Sequence, residues 1–178
     1  MHIRLATLED APAITAIYRP YVEGSIISFE LVAPPEAVMR ERMQKVFAKL
    51  PWLVYEQEGA VSGYAYASPH HDRAAYQWSV DVSVYLRQGL QRRGLGRTLY
   101  SELFARLVQQ GYYTAFAGIS LPNAASVGLH ESFGFEAVGV YRKAGFKFGA
   151  WHDVGWWQKP LREYHVPTRA PVVLASAH

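Results

Sequence analysis

The sequence predicts an α/β domain, a mixed twisted sheet flanked by helices. Apolar–polar alternation and helical spacing take turns along the chain. A glycine-rich turn in mid-chain joins a long strand to an apolar-periodic helix, and half of the 178 residues are apolar or aromatic.

Ile3 to Ala6 alternates and reads as an opening strand. Thr7-Leu8-Glu9-Asp10 is a helix start, with Thr7 able to cap and the acids placed where the helix dipole favours them. Ile14, Ile17 and Tyr18 continue the apolar face until Pro20, which is expected to end it. Ser25 to Phe29 fits neither pattern. A second helix is expected from Pro35 to Lys49, its turns marked by Val38, Arg42, Val46 and Lys49. Trp52 to Tyr55, a turn at Glu58-Gly59, and Val61 to Ala67 form a hairpin. Tyr76 to Leu86 reads as one long strand with Asp81 in its middle. After Gly94, Leu95, Leu99, Leu103, Leu107 and Val108 recur at helical spacing up to Gly111. Tyr112 to Ile119 is strand-like, and Asn123 can cap a short helix closing at Gly134. Phe135–Tyr141, Lys147-Phe148 and Val154–Gln158 complete the sheet. Residues 1–160 make one domain, and 161–178, with Pro167 and Pro171, are expected to be a loosely ordered extension.

Composition narrows the function. Charged residues are 19% and the net charge is +3, with a basic knot at Arg87, Arg92, Arg93 and Arg97 that suits a small anion better than a nucleic acid. There is no cysteine, which excludes disulfides, thiolate metal sites and a cysteine nucleophile. The N-terminus lacks a signal-peptide run, and no stretch of about 18 apolar residues exists to span a bilayer. A soluble cytoplasmic protein with no nucleic-acid or membrane partner is expected.

Gln91-Arg92-Arg93-Gly94-Leu95-Gly96-Arg97 follows a strand and opens a helix. Glycines there let backbone N–H groups converge on an anion, and the helix N-terminus adds positive potential. The longer spacing of a P-loop is absent, and a dinucleotide fingerprint needs a third glycine near the first strand. Taken alone, the turn is open between a diphosphate site and a helix start with solvated arginines.

The turn resembles the Q/R-x-x-G-x-G/A pyrophosphate motif of the GNAT acetyltransferases. The order of strand, turn, helix, strand and Asn-led helix is also that family's. It ends in Asn123-Ala124-Ala125-Ser126 and in Leu129 to Phe135, which is similar to the family's L-Y-E-K-x-G-F with His130 in the tyrosine position. Ala144 to Gln158, Pro51 to Val54, Ser83 to Tyr85 and Gly118 to Asn123 resemble the phosphinothricin N-acetyltransferase branch.

The resemblance implies a GNAT fold with a splayed strand pair at the acetyl-CoA site, and no metal. It implies direct acetyl transfer to the amine of a small amino-acid-like substrate of the phosphinothricin or methionine sulfoximine type. A peptide or protein amine, or a silent acetyl-CoA-binding module, are the alternatives. Acetyl-CoA would meet Val84, Leu86, Gln91, Arg92, Arg93, Gly94, Leu95, Gly96, Arg97, Asn123 and Ser126, although Asn123 also reads as a plain helix cap. Arg73, Tyr76, Ser25, Phe29 and Val154 match substrate-pocket positions, partly across a homodimer interface.

Asp81 is the candidate base. An ammonium has no lone pair, and a carboxylate reached directly or through water can take its proton. The branch carries glutamate there, and aspartate is a methylene shorter; a solvent-facing aspartate is the bland alternative. His130 could protonate the departing thiolate or only hydrogen-bond. His70, His71 and Asp72 do not form a metal site, because adjacent residues diverge and no third ligand accompanies them.

Overall fold

The computed structural model describes residues 2–173. Strand β1 (His2–Leu5) leads through a 3₁₀ turn (Leu8–Asp10) into α1 (Ala11–Gly24) and α2 (Glu36–Phe47). Next come β2 (Trp52–Gln57), β3 (Ala60–Pro69), β4 (Ser79–Leu86), α3 (Leu95–Gln110) and β5 (Thr114–Leu121). The chain continues with α4 (Ala124–Glu131), β6 (Glu136–Lys147) and β7 (Ala150–Pro160). One seven-stranded sheet has the order β1-β2-β3-β4-β5-β7-β6 and is antiparallel except between β4 and β5.

Strand alternation divides the core between the two faces. Trp52, Val54 and Tyr64 pack with Ile14, Ile17, Val22, Met39 and Met43 of α1 and α2. Leu53, Val80, Val82, Ala115, Ala117 and Ile119 pack with Leu99, Leu103 and Leu107 of α3. Each fully buried aliphatic side chain contributes about 1.5–3 kcal/mol, so this sandwich holds the sheet in place.

Three elements differ from the expectation. Pro20 lies inside α1 and does not end it. Its missing N–H would have met the carbonyl of Ala16, an exposed residue that water can serve, while Ile17, Tyr18 and Val22 stay buried across the break. The strand expected from Tyr76 starts only at Ser79. Ala74–Tyr76 forms a 3₁₀ turn, with the Tyr76 N–H on the Arg73 carbonyl at 2.9 Å, because the chain must reverse between antiparallel β3 and β4. The pieces expected at 135–158 are two long strands joined at Phe148-Gly149. Register shifts at Ala137/Gly139 and Tyr141/Gly145, with Lys143 at φ 51°, break the alternation by which a strand is read.

Residues 161–173 of the C-terminal extension run back over earlier elements. Leu161 N–H meets the Tyr113 carbonyl at 2.8 Å, and Val172 N–H meets the Gln110 carbonyl at 2.9 Å. The Gln110 side chain donates to the carbonyls of Lys49 and Val172. Residues 174–178 lie outside the described part. No described helix is long and apolar enough to cross a membrane.

Candidate active site

Strands β4 and β5 pair only at Ser79↔Thr114, Val80↔Ala115 and Asp81↔Phe116. Beyond Asp81, β4 stays on β3 as far as Leu86, while β5 follows β7 as far as Leu121. The two strands therefore part as a fork. Arg87 N–H bonds the Ser62 carbonyl on one side, and the Trp78 carbonyl accepts from Tyr113 on the other. By alternation, the backbone groups of Val82, Val84 and Leu86 point into the fork. The ladder gives Val84 no partner there. Leu86 is engaged: its carbonyl accepts from the Tyr21 hydroxyl at 2.6 Å. Tyr21 is not legible in the sequence, because it follows Pro20, where the apolar face of the helix is expected to end.

The turn that ends the fork has left-handed backbone at Arg92 (φ 63°) and at Gly94 (φ 81°), the N-cap of α3. Thr98 N–H reaches back to the Gly94 carbonyl at 3.0 Å, so the N–H groups of Leu95, Gly96 and Arg97 lack intrahelical acceptors. With the helix dipole they fit a diphosphate. Arg92 and Arg93 are exposed beside them. Two of the expected residues also make contacts within the protein. Arg97 donates to Ser132 Oγ at 2.8 Å and lies 5.1 Å above the Phe133 ring, and Gln91 Oε1 accepts from Gly89 N–H at 2.9 Å. Gly96 is buried, and a Cβ there would meet Leu129 of α4 at ordinary contact distance, 3.4 Å.

Asn123, Ser126 and His130 line the cleft of the fork together with Val84 and Ser120. Asn123 Oδ1 accepts from Ser126 N–H at 3.1 Å, so Asn123 does cap α4. Buried His130 has its Nδ1 2.8 Å from the Ser126 carbonyl, which can only accept; the proton is on Nδ1. Nε2 then accepts from the Tyr100 hydroxyl at 3.0 Å. Burial holds the imidazole pKa below its ordinary value, against the pull of the Ser126 carbonyl. Of the two roles open from the sequence, this geometry favours hydrogen bonding over proton donation.

Asp81 and Phe116 close the fork and share one face of the sheet, opposite Val80 and Val82. Asp81 Oδ1 lies 2.7 Å from His70 Nδ1. Burial pushes the Asp81 carboxyl above its ordinary value, while the hydrogen bond from His70 and the charges of His70 and His71 pull it back. The His70 ring stacks on Phe116 at 4.0 Å and 10°, with Tyr76 and Trp156 each edge-on at 5.9 Å. His70 was set aside in the sequence with a metal site in view. Strand alternation was the usable signal: His70 follows Ser68 by two residues, and Ser68 pairs with Asp81.

Tyr76 is thus brought to Asp81 through His70. Arg73 is exposed, and its side chain makes no hydrogen bond among the described residues. Ser25 ends α1, its hydroxyl donating to the Tyr21 carbonyl at 2.8 Å. Phe29 lies against Gly145 of β6, where any Cβ would collide with its ring. Val154 pairs with Ser120 and Tyr141. Lys147, unmarked in the sequence, is buried and donates to the carbonyls of Val22 at 2.6 Å and Ser28 at 2.7 Å, tying β6 to the loop that carries Ser25 and Phe29. Ser120 Oγ and Trp156 Nε1 are buried without a protein partner among the described residues. Of the two, Ser120 belongs to a residue that lines the cleft of the fork.

Residues 3–156 match the family model described as acetyltransferase (GNAT) domain. The phosphinothricin N-acetyltransferase of Streptomyces viridochromogenes is 41% identical over 94% of this chain and 90% of its own length. The L-methionine sulfoximine/L-methionine sulfone acetyltransferase of Salmonella typhimurium is 33% identical over 94% and 98%. A putative acetyltransferase from Salmonella typhimurium, solved with its cofactor acetyl-CoA, superposes with a TM-score of 0.90 at 33% identity, covering 94% of this chain and 97% of that one.

Proposed function

The chain belongs to the GNAT acetyltransferase family and is an acetyl-CoA-dependent N-acetyltransferase, and from that premise we propose that it acetylates the α-amine of small amino acids of the phosphinothricin and methionine sulfoximine type. The parting of β4 from β5 directly above Asp81 carries this reading, because it sets an open backbone edge beside a partly desolvated carboxylate. The names of the relatives support the substrate class.

Acetyl-CoA, when bound, supplies the thioester carbonyl. The turn at 91–97 holds its diphosphate through the free N–H groups of α3 and through Arg92 and Arg93. Val84 N–H stabilises the negative charge that develops on the acetyl oxygen. The acid–base group built on Asp81 draws the proton from the substrate ammonium, directly or through a bridging group, and the freed lone pair attacks directly, without a covalent enzyme intermediate. Arg73 and Tyr76 receive the substrate carboxylate. His130 holds Tyr100 and α4 against the cleft. The reaction takes place in the cytoplasm, where acetyl-CoA is available.

The protein works as a homodimer. Phe146, Phe148 and Trp151 on the β6–β7 hairpin are each more than half exposed, beside exposed Val138 and Tyr141. That apolar surface suits a second copy, which would stand next to Val154 and Phe29.

Thiol release from acetyl-CoA, assayed over a panel of amino acids, tests the reading. Phosphinothricin and methionine sulfoximine should outpace peptides by at least an order of magnitude. Equal or faster turnover of peptide amines would overturn the substrate class.

A further inference from the structure

We propose that His70 is the catalytic residue that takes the proton from the substrate ammonium, and that Asp81 is the positioning residue that aims it. This deepens the N-acetyltransferase reading and rests on it for the identity of the substrate.

An ionised carboxylate only accepts, so the 2.7 Å contact with Asp81 puts a proton on His70 Nδ1. Nε2 is then the basic nitrogen. It has no hydrogen-bond partner among the described residues, and it is absent from the polar atoms sealed away from solvent. The ring itself cannot wander. It is stacked on Phe116, with Tyr76 and Trp156 steeply inclined to it and His71 tilted against it, and its side chain is 12% exposed. A fixed tautomer, a locked ring and one free lone pair are what a general base requires.

The placement explains the short side chain at Asp81. The imidazole extends the reach of the carboxylate along the same face of the sheet, toward Phe116 and Trp156. The groups facing His70 are Asp81 from β4 and His71 and Tyr76 from the 70–78 loop, while β5 and β7 present only Phe116 and Trp156. Asp81 is the one carboxylate among them and stabilises the imidazolium.

The step balances. His70 Nε2 takes one ammonium proton, and the nitrogen lone pair forms the N–C bond. The C–S bond breaks as a second nitrogen proton passes to the thiolate sulfur, and the imidazolium returns its proton to solvent. The products are the acetamide, the free thiol and one proton.

His70→Asn keeps a donor for Asp81 and removes Nε2. Its acetyl-CoA-induced rise in melting temperature should equal that of the wild type, while kcat/KM near neutral pH should fall by about 10²–10⁴-fold and climb with pH as free amine appears. The His70 tautomer, read from 15N chemical shifts without acetyl-CoA, gives a second readout: the ring should carry its proton on Nδ1 in the wild type and lose that preference in Asp81→Ala. A wild-type pH–rate profile in His70→Asn, or a tautomer unchanged by Asp81→Ala, would overturn the proposal. Failure of the wild type to acetylate any amino acid would instead sink the substrate reading, and the tautomer comparison would still decide whether Asp81 orients His70.

Discussion

Tyr100 and His130 hold one another in a single arrangement. The tyrosine hydroxyl donates to Nε2 at 3.0 Å, and Nδ1–H donates onward to the Ser126 carbonyl at 2.8 Å. This chain joins α3 to α4 behind the cleft. His130→Phe should therefore lower stability by about 1–3 kcal/mol, because the buried Tyr100 hydroxyl loses its acceptor. The folded-state pKa of His130 is depressed below 6.5, so the unfolded chain takes up the proton first as pH falls. The stabilisation is complete above 6.5 and is lost as pH drops through the lower folded value. Urea midpoints at about pH 8 and about pH 5 should differ more for the wild type than for His130→Phe.

Gly96 tests the diphosphate turn. Its absent Cβ would meet Leu129 at ordinary contact distance, so Gly96→Ala should fold with stability near that of the wild type. Gly96→Asp places a carboxylate at the end of α3 where the cofactor's negative charge belongs. The acetyl-CoA-dependent rise in melting temperature should survive in the first variant and vanish in the second.

Arg73 makes no contact that the fold needs, so its replacement reads function cleanly. A hydrogen bond to a charged group is worth about 1.5–3 kcal/mol, and Arg73→Ala should cost about 10- to 150-fold in kcat/KM for an α-amino acid. Arg73→Lys should recover part of that, since lysine keeps the charge without the planar fork. The corresponding amino acid amide should be poor for all three proteins. Equal losses for acid and amide would remove Arg73 from carboxylate recognition.

Trp151→Glu and Phe148→Glu introduce charge into the apolar face of the β6–β7 hairpin. Light scattering should give twice the chain mass of 20.1 kDa for the wild type and the chain mass itself for the double variant. A wild-type monomer would contradict the dimer.

The helices and central strands were legible because burial imposes period on them. Leu99, Leu103 and Leu107 recur on one face of α3, and Val80 and Val82 alternate on β4. The edge was not legible. Shifts in register at Ala137/Gly139 and Tyr141/Gly145 interrupt the alternation of β6, and most of its side chains face solvent, so no pattern survives. The glycine turn and Asp81 stood out because chemistry set them against their surroundings. His70, Tyr21 and Lys147 act across distances of 11, 65 and up to 125 residues, and each becomes meaningful only once the strands are paired.

The pH–rate profile of Asp81→Asn with phosphinothricin is the most direct test of amine activation at the fork. The variant should keep the acetyl-CoA-induced rise in melting temperature, lose about 10²–10⁴-fold in kcat/KM near neutral pH, and regain rate at higher pH. A profile parallel to that of the wild type, with little loss at neutral pH, would contradict the account.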